Sequence, residues 1–544
     1  MRKTLSTILS ITLLTASIVL SGCASAKSQN SPTDNAVVST QAGKIRGSVT
    51  KSGVLSFKGV PYAEANERFV PAKPVEKWEG IRDVTEYGKI SPQMKFMSSN
   101  MLSDEISDNN CQNLNIWTPG LDKKKRAVMV WLHGGGFSSG NAQETTAYDG
   151  DNLAQAGDVV VVSVNHRLNI LGFFDLSKYG EKYRYSGNAG VQDIIDSLTW
   201  IKANIVNFGG DPNNVTIFGE SGGGAKVLAL MTSPHAKGLF HKGIIESGST
   251  DTMGVVFTKQ NVARYVTDET LKSLGITQDN IEEIQKVPFE RLLTAGEAVL
   301  AKAAKDLEID GAFGPGTALM WEPVVDGDFM PTDPVSKDGF ASGGKGISLL
   351  IGSNLNEWTS VPLLAKSAEE KARLEKLSET EILAEAQKLY GDKAEKIIAE
   401  YKNAYPEKEL YNALFIDTMI RLPILKITAA KADQKSGDVY SYIFGYGSPF
   451  SFHTFEIPYV FNNAGTSVMG TISTDVEKDK KIAELMSGAW ISFAKTGEPG
   501  TELTGKWDSY SRKNGAVMIL DEKSILTHHH DEALLKLLAP EYEW

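Results

Sequence analysis

Two short stretches of this sequence have the spacing of a serine nucleophile on a sharp turn. The pattern G-x-S-x-G occurs at residues 136–140, within the letters HGGGFSSG, and again at residues 219–223, in the letters GESGG. In such a turn the glycines relieve backbone crowding, and the serine hydroxyl projects to where a base can take its proton. The chemistry indicated is attack of a serine oxygen on a carbonyl carbon. Because the chain contains 50 glycines, the pattern alone is weak evidence, and the flanking elements must decide between the two serines.

The elements around the two serines differ. A nucleophile of this kind needs a strand before it and a helix directly after it. Ser221 follows an apolar, strand-like run at 214–219 and precedes an apolar helical run at 222–231. Ser138 also follows a strand-like run, but residues 139–150 after it are polar and typical of a loop. We therefore predict that Ser221 is the nucleophile and that the stretch around Ser138 has another role.

The glycine run before Ser138 suits a second part of the same chemistry. Acyl transfer builds negative charge on the carbonyl oxygen, and backbone N–H groups aimed at that oxygen usually give the largest catalytic contribution. In enzymes with this serine turn, a loop of the HGGG type supplies such groups, together with the N–H of the residue after the nucleophile. The predicted oxyanion hole therefore consists of Gly135, Gly136 and Gly222.

A serine nucleophile also needs a base and an acid that orients the base. The chain has eight histidines, and in this kind of site the chain order is serine, acid, histidine. That order leaves His453, which follows a strand-like run, and the trio 528–530 in a polar stretch near the C-terminus. For the acid, Glu357 follows a strand-like run, while Asp326 and Asp328 are alternatives. Chain order favours Glu357 only slightly.

The elements that must position these residues alternate between strands and helices. Short β-branched runs bounded by Gly, Asp and Asn are typical of buried parallel strands, and helical patterns lie between them. This alternation predicts an α/β fold with a large, mostly parallel, doubly wound sheet. Two stretches rich in Glu, Lys, Ala and Leu, near 258–308 and 366–435, are interpreted as helical insertions above the active site. The predicted strands are 126–133, 158–165, 214–219, 242–247, 347–354 and 438–445.

The N-terminal residues are not expected to belong to the fold. Residues 1–22 have a positive start and an apolar stretch too short and too serine-rich for a convincing membrane-spanning helix, as in a signal peptide. They lead into LSGC, which resembles a bacterial lipobox whose cysteine, here Cys23, is lipidated after cleavage. Residues 23–36 suit a flexible tether, and residues 37–544 a single catalytic domain. The prediction is an exported protein, anchored by lipid on the outer, extracytoplasmic side of a bacterial cell membrane; a plain secretory signal is the alternative.

Charge and cysteine content narrow the classes of partner. The net charge of −11 argues against nucleic acid, whose binding proteins cluster Lys and Arg to neutralise phosphates. The only membrane contact expected is the lipid at Cys23.

The second cysteine is Cys111, so a mature chain lipidated at Cys23 has no intrachain disulfide. Stability is therefore expected to come from a large core.

Longer stretches of the chain resemble the type B carboxylesterase family, which also contains cholinesterases and bacterial para-nitrobenzyl esterases. The resemblance begins at GVPYAE, residues 59–64, and is strongest at 187–224, which includes GESGGG. FHTFEIPYVF, residues 452–461, follows in the expected order. The resemblance implies an α/β-hydrolase fold and hydrolysis of small-molecule carboxylic esters through an acyl-enzyme intermediate, without metal or cofactor.

The resemblance also assigns roles to the residues that match the family's motifs. These are the nucleophile Ser221, the acid Glu357, the base His453 and the oxyanion-hole donors Gly135, Gly136 and Gly222. With histidine as the base, activity is expected to rise with pH through about 6–7.

Some residues depart from the family pattern. Gly222 stands where the family usually has alanine, Trp358 where glycine is common, and His166 where tyrosine is usual. Ser91 stands near the position of a cysteine that would pair with Cys111, which leaves Cys111 as a buried thiol.

Three questions stay open at the level of sequence. A binding or adhesion protein on the same fold is one alternative function, and a peptidase or lactonase with the same triad is another. The trio 528–530 is either solvent-facing or a weak metal site. Met320 and Trp321 belong either to the core or to the substrate pocket.

Overall fold

The computed structural model describes residues 36–93, 107–311, 314–315, 319–363, 366, 368–447, 450–466 and 475–544. The predicted signal peptide, the lipidation site Cys23 and nearly all of the predicted tether lie outside these residues. Within them, no helix is long and apolar enough to cross a membrane.

Strands and helices alternate along the described chain, as predicted. The strands are β1 (Val37–Ser39), β2 (Lys44–Arg46), β3 (Ser48–Val49), β4 (Leu55–Pro61), β5 (Ile81–Asp83), β6 (Asn113–Thr118), β7 (Arg126–Leu132), β8 (Val160–Val164), β9 (Gly210–Glu220), β10 (Lys242–Glu246), β11 (Thr258–Lys259), β12 (Asp310–Gly311), β13 (Gly314–Pro315), β14 (Val324–Val325), β15 (Val335–Ser336), β16 (Gly339–Phe340), β17 (Ser348–Asn354), β18 (Val439–Phe444), β19 (Ala516–Leu520) and β20 (Ile525–His528). The α-helices are α1 (Asp151–Gly157), α2 (Asn169–Phe173), α3 (Ala189–Asn204), α4 (Gly222–Thr232), α5 (Gln260–Leu274), α6 (Phe289–Asp306), α7 (Ala368–Leu374), α8 (Glu379–Tyr390), α9 (Ala394–Ala404), α10 (Arg421–Asp433), α11 (Ile457–Val460), α12 (Val476–Thr496) and α13 (Glu532–Leu538).

The predicted large, mostly parallel sheet is confirmed. Among the described residues it has eleven strands in the order β20-β19-β18-β17-β10-β9-β7-β8-β6-β4-β3. The strands from β8 to β19 are parallel, and the pairings at both edges are antiparallel. The neighbours β7, β9, β10, β17 and β18 therefore run in one direction through the centre of the sheet.

Both faces of the sheet are covered. Successive side chains of a strand point to opposite sides, so each central strand contributes to two cores. On β7, Val128 and Val130 join a core that also contains residues of α3, α4 and α10. Met129 and Trp131 join the opposite core, which contains residues of α1, α8, α9 and α12. Central strands buried on both sides need continuous apolar runs, which is why these strands were recognisable in the sequence.

Helices occupy both stretches interpreted as insertions. Helices α5 and α6 lie in the first and pack against each other. Helices α7 to α10 lie in the second, and α10 packs against β17 and β18.

The parallel strands bring the predicted site residues to one edge of the sheet. The glycine loop follows β7, Ser221 follows β9, Glu357 follows β17, and His453 follows β18 after a longer loop. Since parallel strands end on the same side, these residues converge although they are far apart in sequence.

Candidate active site

Ser221 lies on a sharp turn between strand β9 and helix α4. Its backbone has φ 54° and ψ −125°, a conformation that is costly for a residue with a side chain. Its N–H donates to the carbonyl of Glu246 at 2.9 Å. The turn needs glycine on either side, since a Cβ at Gly219 or Gly223 would lie 2.5 or 2.0 Å from the carbonyl oxygen of Leu132. This is the strand–turn–helix geometry of a nucleophile elbow.

Ser138 lies in a different structure. The carbonyl of Gly135 accepts the N–H groups of Ser138 at 3.3 Å and Ser139 at 3.0 Å, which closes a tight turn. Gly135 and Gly136 have φ values of 80° and 61° in this turn, a region that favours glycine. No helix starts at Ser138; the next one in the described chain is a single short turn from Thr146 to Tyr148.

The glycine loop packs directly against the elbow. A Cβ at Gly222 would lie 2.3 Å from the N, Cα and O atoms of Gly136, so the two backbones are in contact. A Cβ at Gly134 would lie 3.6 Å from the Cβ of Ser221. The two segments predicted to supply oxyanion-hole donors are thus adjacent, and the absence of a side chain at Gly222 permits the close approach.

His453 and Glu357 form a buried pair beside the elbow. Nδ1 of His453 lies 2.6 Å from Oε2 of Glu357. Nε2 of His453 lies 3.2 Å from Oε1 of Glu220, the residue directly before Ser221. Within the described chain, this Nε2 makes no hydrogen bond. One nitrogen of the imidazole is therefore held by Glu357, while the other lies beside the carboxylate of the residue that precedes Ser221.

Three donors surround the carboxylate of Glu357. Besides His453, the hydroxyl of Ser247 donates to its Oε1 at 2.6 Å, and the N–H of Asn354 donates to the same oxygen at 2.6 Å. Burial raises the pKa of Glu357 to about 8, and the hydrogen bonds from Ser247 and Asn354 oppose this rise. Donors of this kind favour the carboxylate form, which can in turn stabilise a charged imidazole.

Burial has the opposite effect on the histidine. It lowers the pKa of His453 to about 4, against the attraction of the nearby Glu456 and Asp417. The imidazole is consequently neutral at neutral pH, as a base requires. We therefore expect the rise in activity at lower pH than the pH 6–7 expected from the sequence.

Three further buried glutamates, not predicted from the sequence, lie at this edge of the sheet. They are Glu220 and Glu246, the last residues of β9 and β10, and Glu456. Burial raises the pKa of all three. Trp490 donates to Glu246 at 2.7 Å, and the side chain of Asn354 donates to Glu456 at 2.6 Å. For Glu220 and Glu246 the available signal was an acidic residue at the end of an apolar strand; Glu456 instead directly precedes α11.

The alternative acids lie elsewhere. Asp328 pairs with Arg184 at 2.8 Å and accepts a hydrogen bond from the hydroxyl of Tyr185. Asp326 accepts the backbone N–H groups of Asp328 and Met330 in its own loop. The structure thus brings Glu357, and not these aspartates, to His453.

Two members of the histidine trio, His528 and His529, are exposed to solvent, and His530 is half-buried. Nδ1 of His529 lies 2.7 Å from Glu532, and the ring of His530 packs edge-on against Tyr405. Among the described residues, no group of three or more His, Cys, Asp or Glu side chains has an arrangement that could hold a metal ion.

The structure shows what the residues that depart from the family pattern contact. The ring of Trp358 lies 4.5 Å from that of His453, centroid to centroid, and so covers the imidazole. His166 stacks on His133 at 5.2 Å. Cys111 is a buried free thiol, and burial raises its pKa.

Trp321 is buried in the core, where it packs against Phe174.

A serine on a strand–helix turn, a glycine loop touching it and a histidine–carboxylate pair after the later parallel strands define the α/β-hydrolase class of fold. The chain belongs to the carboxylesterase family, whose model matches residues 34–535.

Individual relatives agree with this assignment. The chain is 32% identical to the para-nitrobenzyl esterase of Bacillus subtilis over 517 residues, which covers 93% of this chain and 98% of that protein. An esterase from Clostridium hathewayi has a similar structure, with a TM-score of 0.82 and 34% identity over 94% of this chain and 98% of the other. A carboxylesterase from Geobacillus stearothermophilus has a TM-score of 0.71 and 32% identity, with 92% and 99% of the two chains covered. The protein is accordingly a carboxylic ester hydrolase rather than a binding or adhesion protein.

Proposed function

We propose that the protein hydrolyses small-molecule carboxylic esters through an acyl-enzyme intermediate on Ser221. The observation that carries this proposal is the elbow serine beside the His453–Glu357 pair. In this pair, Nδ1 of His453 lies 2.6 Å from Oε2 of Glu357. Gly135, Gly136 and Gly222 would supply the N–H groups of the oxyanion hole.

The first half of the reaction forms the acyl-enzyme. Ser221 Oγ bonds to the acyl carbon, its proton passes to Nε2 of His453, and the carbonyl electron pair moves onto oxygen. The oxyanion hole stabilises that charge, and Glu357 stabilises the imidazolium. When the carbonyl re-forms, the bond to the alcohol oxygen breaks and His453 returns the proton to the leaving alcohol.

The second half repeats these steps with water. His453 takes a proton from water, whose oxygen bonds to the acyl carbon. When this second intermediate collapses, the bond to Ser221 Oγ breaks, His453 returns the proton to that oxygen, and the carboxylic acid leaves. No metal or cofactor takes part in these steps.

A fluorophosphonate probe tests this proposal directly. Such probes react with serines activated by a base and an oxyanion hole, and peptide mass spectrometry locates the adduct. We expect a single adduct on Ser221. An adduct on Ser138, or none on folded protein, would contradict the proposal.

The names of the relatives indicate which esters to test first. They describe a para-nitrobenzyl esterase, a phenmedipham hydrolase from Pseudarthrobacter oxydans and an esterase that can hydrolyse aliphatic aromatic polyesters. We propose an ester with an aromatic group as substrate. Comparison of kcat/KM for aromatic and straight-chain esters of equal size checks this, and a preference for the straight-chain ester would contradict it.

We further propose that the protein is exported and anchored through lipid on Cys23, as the LSGC sequence suggests. Metabolic labelling with radioactive palmitate should mark the full-length chain and leave Cys23→Ala unlabelled. Equal labelling of the two would contradict the anchor.

A further inference from the structure

Lys226 is a buried cation close to the elbow. It lies one turn after Gly222 in α4, and its side chain has 0% exposure to solvent. Buried lysines are rare, and each must find compensating partners. Burial lowers the pKa of Lys226 to about 7, against the attraction of Glu144 and Glu220.

The partners of this ammonium group are carbonyl oxygens of the glycine loop. Nζ donates to the carbonyl of His133 at 2.8 Å and to that of Gly136 at 2.7 Å. A longer contact of 3.5 Å joins it to the carbonyl of Gly134. An ammonium group has three N–H donors, and three acceptors meet it here. The charged form is therefore the one that this cluster of carbonyls favours.

These contacts fix the direction of the loop's N–H groups. A trans peptide is planar, so the N–H of one residue points away from the carbonyl of the residue before it. The carbonyl of Gly134 faces Lys226 and also lies 2.9 Å from Nδ1 of His133, so the N–H of Gly135 points to the opposite side. The turn at Ser138 and Ser139 holds the carbonyl of Gly135 and in the same way orients the N–H of Gly136.

Lys226 also closes the loop from both ends. Its two short hydrogen bonds reach His133 and Gly136, on either side of Gly134 and Gly135. On the same helix, Gly222 touches the backbone of Gly136. Helix α4 therefore contacts the loop through its backbone at Gly222 and through a side chain at Lys226.

We propose that Lys226 is a positioning residue that holds residues 133–136 against α4 and keeps the Gly135 N–H aimed at the oxyanion. This rests on the proposed function, because it presumes that the oxyanion forms beside Ser221. A misplacement of about 1 Å in such a site costs on the order of 100-fold in rate, so the effect of losing the clamp is measurable.

Lys226→Met tests the proposal, with Lys431→Met as the matched control. Lys431 is also buried, and its Nζ donates to the carbonyl of Ser436 at 2.6 Å, but it lies in α10. Both changes remove a buried ammonium that is bound to backbone carbonyl. The measurements are kcat and KM for para-nitrophenyl butyrate, thermal unfolding, and the inhibition constant of a trifluoromethyl ketone, which adds to the serine and leaves an anionic oxygen.

For Lys226→Met we expect kcat to fall about 10- to 100-fold with KM within about 3-fold, because the lost interaction acts in the transition state. Affinity for the trifluoromethyl ketone should fall by a similar factor. Lys431→Met should lose stability and keep kcat. If Lys226→Met does not fold, Lys226→Gln replaces it, and its amide donors predict a smaller loss of kcat with KM unchanged.

Folded Lys226→Met or Lys226→Gln with unchanged kcat would overturn the role of Lys226, as would equal losses of kcat in Lys226→Met and Lys431→Met. The activity of Ser221→Ala distinguishes a failure of the positioning role of Lys226 from a failure of the proposed function. An inactive Ser221→Ala beside a fully active Lys226→Met overturns the positioning role alone, whereas an active Ser221→Ala overturns both.

Discussion

The two G-x-S-x-G stretches have the same pattern but opposite structures. At 219–223 the serine lies between a strand and a helix, in a backbone conformation that directs its side chain outward from the turn. At 136–140 the residues fold back on themselves, because two N–H groups bind the carbonyl of Gly135. One stretch presents a side chain and the other presents backbone. Glycine and serine spacing thus describes a sharp turn, while the element that follows decides its use.

The two stretches are also complementary. They follow the neighbouring strands β7 and β9, where Leu132 is paired with Gly219, so the loops that come next must meet. Gly136 and Gly222 make the contact, and Lys226 reinforces it from α4. A backbone donor and a nucleophile must lie close to the same carbonyl group, and the loops that follow two adjacent parallel strands meet this requirement.

Replacement of each serine gives the largest expected difference. Ser221→Ala should lower kcat/KM for para-nitrophenyl butyrate by about 10⁴- to 10⁶-fold, on the scale of triad knockouts. Ser138→Ala should stay within about 3-fold of the parent, because the turn at 136–140 uses backbone groups. The opposite ranking, in proteins that unfold at the same temperature, would reverse the assignment of the two stretches.

A methyl group at the contact between the stretches should have the next largest effect. The Cβ of Gly222→Ala would lie 2.3 Å from Gly136 and push the loop away, so we expect kcat to fall about 10- to 100-fold. Gly488→Ala is the control, since its Cβ meets nothing within 4 Å in α12 and alanine favours a helix. Full activity of Gly222→Ala would show that the loop adjusts without loss.

The pH dependence should distinguish the serine that has a base. Because the pKa of His453 is lowered to about 4, the imidazole stays neutral from neutral pH down to that value. Labelling of Ser221 by a fluorophosphonate should therefore stay level from pH 7 to about 5 and fall about tenfold per pH unit below pH 4. Circular dichroism at each pH checks the fold. A fall that begins at pH 6–7 would contradict the lowered pKa.

Ser139→Ala should have the smallest effect. Its hydroxyl donates to the carbonyl of Gly135 at 3.2 Å, but its own N–H donates to the same oxygen at 3.0 Å and survives the change. A single neutral hydrogen bond contributes about 1 kcal/mol, so we expect kcat within about 3-fold of the parent. A much larger loss would show that this side chain, and not the backbone, maintains the loop.

Much of the fold was predictable from local patterns. The run predicted at 242–247 is strand β10 at Lys242–Glu246, and the run at 347–354 is β17 at Ser348–Asn354, because strands buried on both faces must be apolar throughout. Strand β9 instead begins at Gly210, before its apolar run, since Gly210 pairs with Arg126 of β7. That extension depends on a neighbouring strand and has no local signal.

Sequence patterns alone indicate the class of chemistry and the serine that we propose performs it, because a nucleophile elbow depends on residues that follow one another in the chain. The tertiary structure alone decided that Glu357, rather than Asp326 or Asp328, meets a histidine 96 residues away. It also decided how far burial lowers the pKa of that histidine, and it brought a buried lysine to the carbonyls of the glycine loop. Distances across the sheet and exclusion of water arise only when the strands assemble, so no local pattern contains them.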